Sequence, residues 1–120
     1  MEIQELTDKN YRSIVNNEDR NIFIDFYSPM CGPCQILDSM LPTIAEYALN
    51  KNTIVVKCDI SKNKKIREYY NVQATPLTLI VNTKKEIKEP LAGAVDISKY
   101  LKNIDSVFNP KKSFFSRFFS

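Results

Sequence analysis

The ten residues Asp25-Phe26-Tyr27-Ser28-Pro29-Met30-Cys31-Gly32-Pro33-Cys34 contain an abrupt change of pattern, and the rest of the chain reads outward from it. Upstream, Asn21 to Tyr27 is apolar at both alternating positions apart from Asp25, which predicts a central strand covered on each side. Ser28-Pro29 ends that strand. Downstream of Pro33, the residues Ile36, Leu37, Met40, Leu41, Ile44, Ala45 and Ala48 keep a helical period to about Asn50. Pro33 suits the first turn, where its missing N–H has no partner to lose. Pro42 lies inside the run and predicts a kink, because its ring removes a backbone donor and crowds the preceding turn.

Further elements follow on either side. Leu6, Tyr11, Ile14 and Val15 recur at helical spacing behind Thr7, predicting an amphipathic helix over roughly residues 8–17 with Thr7 as its N-cap and a short strand before it. Thr53 to Cys58 is β-branched and reads as a strand, then a helix runs from about Lys62 to Tyr70, with Asn71 ending it in a left-handed conformation. Pro76 to Val81 is a strand, Asn82-Thr83-Lys84-Lys85 a turn, and Glu86 to Leu91 the second arm of a hairpin whose turn lacks the usual glycine. Asp96 caps a last helix carrying Ile97, Tyr100, Leu101, Ile104, Val107 and Phe108, which stops before Asn109-Pro110. The order β-α-β-α-β-α-β-β-α predicts an α/β fold, a three-layer α/β/α sandwich with a central mixed sheet.

Composition narrows the function classes. A chain of 120 residues that is 43% hydrophobic and 26% charged fits one domain with a single core. The net charge of +3 is spread between Lys62, Lys64, Lys65 and Arg67 and the tail residues Lys111, Lys112 and Arg117, too diffuse for nucleic-acid binding. The run from Lys62 to Arg67 reads as the solvated face of a short helix. No stretch is long and apolar enough to span a membrane, and Met1 to Glu5 lacks a signal-peptide pattern, so the expected location is the cytosol. Three cysteines and no histidine fall short of the four ligands of a closed zinc or iron–sulfur site, and Gln35 after Cys34 excludes a haem attachment motif. An odd cysteine count in a reducing compartment does not make a structural disulfide framework either.

A different chemistry remains. Cys31 falls just ahead of a helix N-terminus, where unpaired N–H groups and the positive end of the helix dipole favour thiolate over thiol. Cys34, one helical turn deeper, can reach the sulfur of Cys31 and break a mixed disulfide formed there. Asp25, a carboxylate in an apolar strand, is costly to ionise, so its pKa is expected to rise. Cys58 lies in an apolar strand and reads as a small buried hydrophobe.

The segment Asp25 to Cys34 resembles the active-site segment of the thioredoxin family. Val56-Lys57-Cys58-Asp59-Ile60, Tyr70 to Pro76, and Ala92-Gly93-Ala94 follow in the family's order and near its spacing. The chain's two glycines, Gly32 and Gly93, both fall on family glycine positions. The resemblance covers about residues 1–108 and leaves 109–120 as a basic, aromatic tail. It implies a thioredoxin-like fold and a thiol–disulfide oxidoreductase, a protein-disulfide reductase in which Cys31 attacks and Cys34 resolves. Asp25 then assists proton transfer from Cys34, with Lys57 as its partner. Met30, Gly32, Pro33, Thr75, Pro76 and Gly93 form the substrate groove, with Thr75-Pro76 as the family's cis-proline loop. No cofactor is bound apart from the redox-active Cys31–Cys34 disulfide. The implied partners are disulfide-containing client proteins and a thioredoxin reductase drawing on NADPH, with no nucleic acid and a monomeric state.

Two departures bear on clients. Met30 stands where the family has tryptophan, and Ser39 occupies the usual position of the helix proline, with Pro42 one turn on. In the tail, four phenylalanines would share one side of a helix, which suits a membrane surface or partner groove; the plainer expectation is that it packs or frays. Two rival functions share the fold: a redox protein tethered by this tail to one client or a membrane, and a non-catalytic binding module.

Overall fold

A strand that is apolar on both faces needs a layer on each side, and the chain supplies two. The computed structural model describes residues 2–109, and the expectations for 110–120 lie outside them. The central strand β2 (Asn21–Tyr27) is buried at every position except its last. It pairs in parallel with β3 (Thr53–Asp59) and antiparallel with β4 (Leu77–Val81). A two-residue β1 (Gln4–Glu5) adds in parallel to β3, and β5 (Ile87–Ala92) adds antiparallel to β4, so the mixed sheet runs β1-β3-β2-β4-β5. Pro90 lies in β5, an edge strand, where one missing donor is tolerated.

Alternation along β2 splits the core. Ile22, Ile24 and Phe26 pack with Leu6, Val15, Val56, Cys58 and Ile66 on one face, while Phe23 packs with Leu37, Leu41, Ile44, Tyr100 and Ile104 on the other. That second face is covered by α1 (Gly32–Leu49) and α3 (Ile97–Phe108). By the same alternation it receives Asp25. The register sets Asp25 beside Lys57 of β3 and Thr78 of β4.

The helices follow their local signals with one exception, ahead of β2. Helix α1 runs unbroken through Pro42, which is exposed, so the Asp38 carbonyl that loses its N–H partner lies on the wet side. The helix expected over residues 8–17 is instead a turn followed by one wide helical turn, Arg12–Asn16. Ahead of it the Asn10 N–H donates to Thr7 Oγ1 at 3.2 Å while Asn10 Oδ1 accepts from the Thr7 N–H at 2.7 Å, closing a tight local turn. Asp8 in turn accepts from the N–H groups of Lys65 and Ile66, capping α2 (Lys64–Tyr69) from a distance. Asn71 is left-handed as expected, with φ +53°. In the glycine-free hairpin Lys85 takes φ +65°, and Asn82 Oδ1 accepts from the N–H groups of Lys84 and Glu86.

Asp96 caps α3, its carboxylate accepting from the Ser98 N–H at 2.9 Å. Tyr100, fully buried against Phe23, donates its hydroxyl to the Gly93 carbonyl at 3.2 Å and accepts from the Val95 N–H at 3.1 Å. This one hydroxyl ties α3 to the loop that carries Gly93. Replacing it should leave two backbone groups short of a partner. Tyr100→Phe is therefore expected to lower unfolding free energy by about 1–2 kcal/mol in urea titrations, with an unchanged denaturant slope.

Candidate active site

Where β2 ends, the chain makes a short exposed loop and enters α1 with Cys31 as the N-cap residue, Gly32 and Pro33 opening the helix. The Cys31 Sγ accepts from the Cys34 N–H at 3.2 Å, so the helix end already directs a donor at this sulfur. Cys31 and Cys34 form a disulfide, their Cα atoms 5.2 Å apart. The two sulfurs differ in access: Cys34 is buried, whereas Cys31 is half-exposed at the surface. Gly32 and Pro33 are exposed beside them, and Met30 is 99% exposed with φ +59°.

A second loop faces the pair. The Thr75-Pro76 peptide is cis, as the family pattern implied. The Thr75 carbonyl oxygen and hydroxyl lie 3.7 and 3.6 Å from Cys31 Sγ. Because a disulfide sulfur has no proton, the Thr75 hydroxyl is the donor to it, and the Ser28 hydroxyl, 2.7 Å from Thr75 Oγ1, then donates to Thr75. Gly93, at φ +81°, donates its N–H to the Pro76 carbonyl at 2.8 Å, which holds the third loop against the second. Met30, Thr75, Pro76 and Gly93 on three loops, with Gly32 and Pro33 in the first turn of α1, thus gather at the end of the sheet where β2 leads into α1.

Behind the disulfide lies a cavity of about 220 Å³ lined by Asp25, Tyr27, Cys34, Asp38 and Lys57, among others. Asp25 is 1% exposed and its Oδ1 has no hydrogen-bond partner among the described residues; nor has the hydroxyl of its cross-strand neighbour Thr78. Burial pushes the Asp25 pKa up to about 7, helped by the negative charges of Asp38 and Glu5 and opposed by Lys57. Lys57 neighbours Asp25 in the register, as expected, and its charge reaches that carboxyl, while its Nζ bonds Asp38 Oδ1 at 3.1 Å and lies 5.6 Å from the centre of the Tyr27 ring. Asp38 reaches toward solvent, so this pair keeps both charges better hydrated than a pair with Asp25 would. Glu5 accepts from the Tyr27 hydroxyl, and burial raises the Tyr27 pKa.

Cys58 is fully buried on the opposite face, its thiol pKa pushed up to about 12 by burial. This agrees with its reading as a small hydrophobe. Sequence reasoning missed Ser28 and Asp38. Ser28 precedes a proline, like many turn residues, and only the fold brings it to Thr75. Asp38 carried a usable signal, since it lies four residues after Cys34 and so on the same side of α1.

Comparison with known proteins places this geometry. The family model described as Thioredoxin matches residues 2–106. A thioredoxin from Chlorobaculum thiosulfatiphilum is 29% identical over 101 residues, 84% of this chain and 92% of that one. One from Buchnera aphidicola is 32% identical over 107 residues, covering 89% of this chain and 97% of its own length. Among solved structures, a thioredoxin variant from Halobacterium salinarum superposes with a TM-score of 0.77 at 25% identity, over 89% of this chain and 91% of that one.

The raised Asp25 pKa fixes a pH dependence. Between the ordinary carboxylate value of 3.8 and about 7, the folded state keeps a proton that the unfolded chain has lost. Asp25 therefore costs stability progressively as pH rises through that window, and the cost is constant above it. Relative to wild type, Asp25→Asn is expected to gain on the order of 3 kcal/mol between pH 4 and pH 8, read as the difference between urea-unfolding free energies. A pH-independent difference would show that Asp25 titrates normally.

Proposed function

This chain belongs to the thioredoxin family, and on that premise we propose that Cys31 is the attacking thiolate and Cys34 the resolving thiol of its exchange reaction. The protein is a thioredoxin-type thiol–disulfide oxidoreductase, a protein-disulfide reductase whose redox group is its own disulfide rather than a bound cofactor. The carrying observation is the asymmetry of the pair: one sulfur is reachable at a helix N-terminus, and the other is buried behind it.

In the reduced protein, the Cys31 thiolate attacks one sulfur of a client disulfide and expels the other as a client thiolate, forming a mixed disulfide. Cys34 then gives up its proton and attacks Cys31 Sγ, releasing the second client sulfur as a thiolate. The client gains two electrons, which the Cys31–Cys34 pair has lost. Asp25 accepts the Cys34 proton across the shared cavity, since a carboxylate titrating near neutrality suits that transfer. Lys57, held at the same cavity, supplies positive charge there. The helix N-terminus and the hydroxyl of Thr75, backed by Ser28, favour the Cys31 anion. The client strand lies along Thr75-Pro76 and Gly93, with Gly32 and Pro33 beside the sulfur and Met30 as a flexible apolar contact.

Family membership brings disulfide-containing clients and a reductase as partners. The finer reading is a monomeric cytosolic protein recharged by a thioredoxin reductase drawing on NADPH, without nucleic acid. Its catalytic unit is residues 1–108, with 109–120 as an appendage. Catalytic amounts of the protein are expected to accelerate insulin reduction by dithiothreitol, and Cys31→Ser to return the rate to that of dithiothreitol alone. Cys34→Ser should accumulate a client adduct on Cys31, visible on a non-reducing gel. A wild-type rate no higher than the dithiothreitol background would overturn catalysis and leave a binding module.

A further inference from the structure

Lys57 lies beside Asp25 in the sheet register, on the face that α1 covers. Helix α1 brings Asp38 to the same place one turn after Cys34, and the Lys57 ammonium bonds that carboxylate at 3.1 Å. The more deeply buried carboxylate is left with an oxygen that has no partner. Asp38 is the more exposed member of the ion pair, its side chain 58% exposed against 26% for Lys57. It lies at the cavity rim, with Asp25 at the buried end.

We propose that Asp38 is a positioning residue for the exchange reaction, holding the Lys57 ammonium at the rim of the cavity and so leaving Asp25 without a counter-ion at the moment Cys34 must exchange its proton. The proposal rests on the reading of Asp25 as that proton's acceptor. Asp38 acts on Asp25 in two ways that add. Its own negative charge disfavours a second carboxylate nearby, and its grip on Lys57 weakens the pull of the one positive charge that favours it. The titratable and charged groups around Asp25 are Glu5 of β1, Tyr27 of β2, Lys57 and Cys58 of β3, Cys34 and Asp38 of α1, and Tyr100 of α3; Thr78 of β4 adds a polar but uncharged neighbour. Of these, Lys57 alone is a cation, so the place of its ammonium adjusts an ionisation that burial chiefly opposes. Asp25 near neutrality both accepts a proton from Cys34 when a client is reduced and returns it when the pair is recharged. An Asp25 held ionised by Lys57 would be a weaker base for the first step and empty-handed for the second.

The test follows the Asp25 carboxyl by carbon NMR in the full-length reduced protein, alongside the pH profile of mixed-disulfide resolution. Asp38→Asn is expected to move both midpoints down by about one pH unit. Asp38→Glu, which keeps the charge and can still reach Lys57, should restore the wild-type midpoints. In a Lys57→Met background the effect of Asp38→Asn should fall to less than half, because the redirected ammonium is gone. Asp38→Asn midpoints equal to those of wild type would overturn the proposal while leaving Asp25 in its role. A full shift that persists without Lys57 would overturn the part assigned to the ammonium. An Asp25→Asn variant that resolves mixed disulfides with the wild-type profile would overturn the proton-acceptor reading beneath it.

Discussion

Burial of β2 on both faces is the constraint on which the architecture depends. Six of its seven residues are buried, so one covering layer would leave half of its apolar side chains in water. The sheet answers by placing β2 at its centre, with α1 and α3 on one face and α2 with the N-terminal turn on the other. Full cover at the strand's end also forces the next segment out to the surface before it can turn back as α1. That exit point is where Cys31 sits.

The same burial creates the site's internal tension. Asp25 occupies a position that its neighbours in the strand make apolar, and the adjacent cation is engaged elsewhere. A carboxylate in such a place resists ionisation, which lowers stability near neutral pH and, in the proposed mechanism, suits it to carry a proton. Function and stability therefore pull on one oxygen atom. Tyr27, Glu5, Lys57 and Asp38 form the polar frame in which that compromise is set.

Much of this was legible in residue order. Local patterns placed β2 to β5 and the three α-helices within a few residues, because these elements bury regular stripes, while β1 was expected only as a short strand without bounds. The Cys31–Cys34 spacing and the polar exception at Asp25 marked residues that the fold brings to one cavity. Contacts between residues distant in sequence were not legible. Asp8 caps α2 through N–H groups 57 and 58 residues further along the chain. The choice of Lys57 between two carboxylates depends on how α1 lies over β3, which no local pattern encodes. The hydroxyl pair of Ser28 and Thr75 likewise exists only because two loops meet.

Cys58 gives the fold a chemical selectivity. Its sulfur is fully enclosed beneath the second helical layer and held as the neutral thiol. Maleimides and iodoacetamide react with the anion, so in the native reduced protein they find residue 31 and pass over residue 58. A chain with three cysteines can therefore be tagged at one of them with no substitution, and the third becomes countable only when denaturant opens the core.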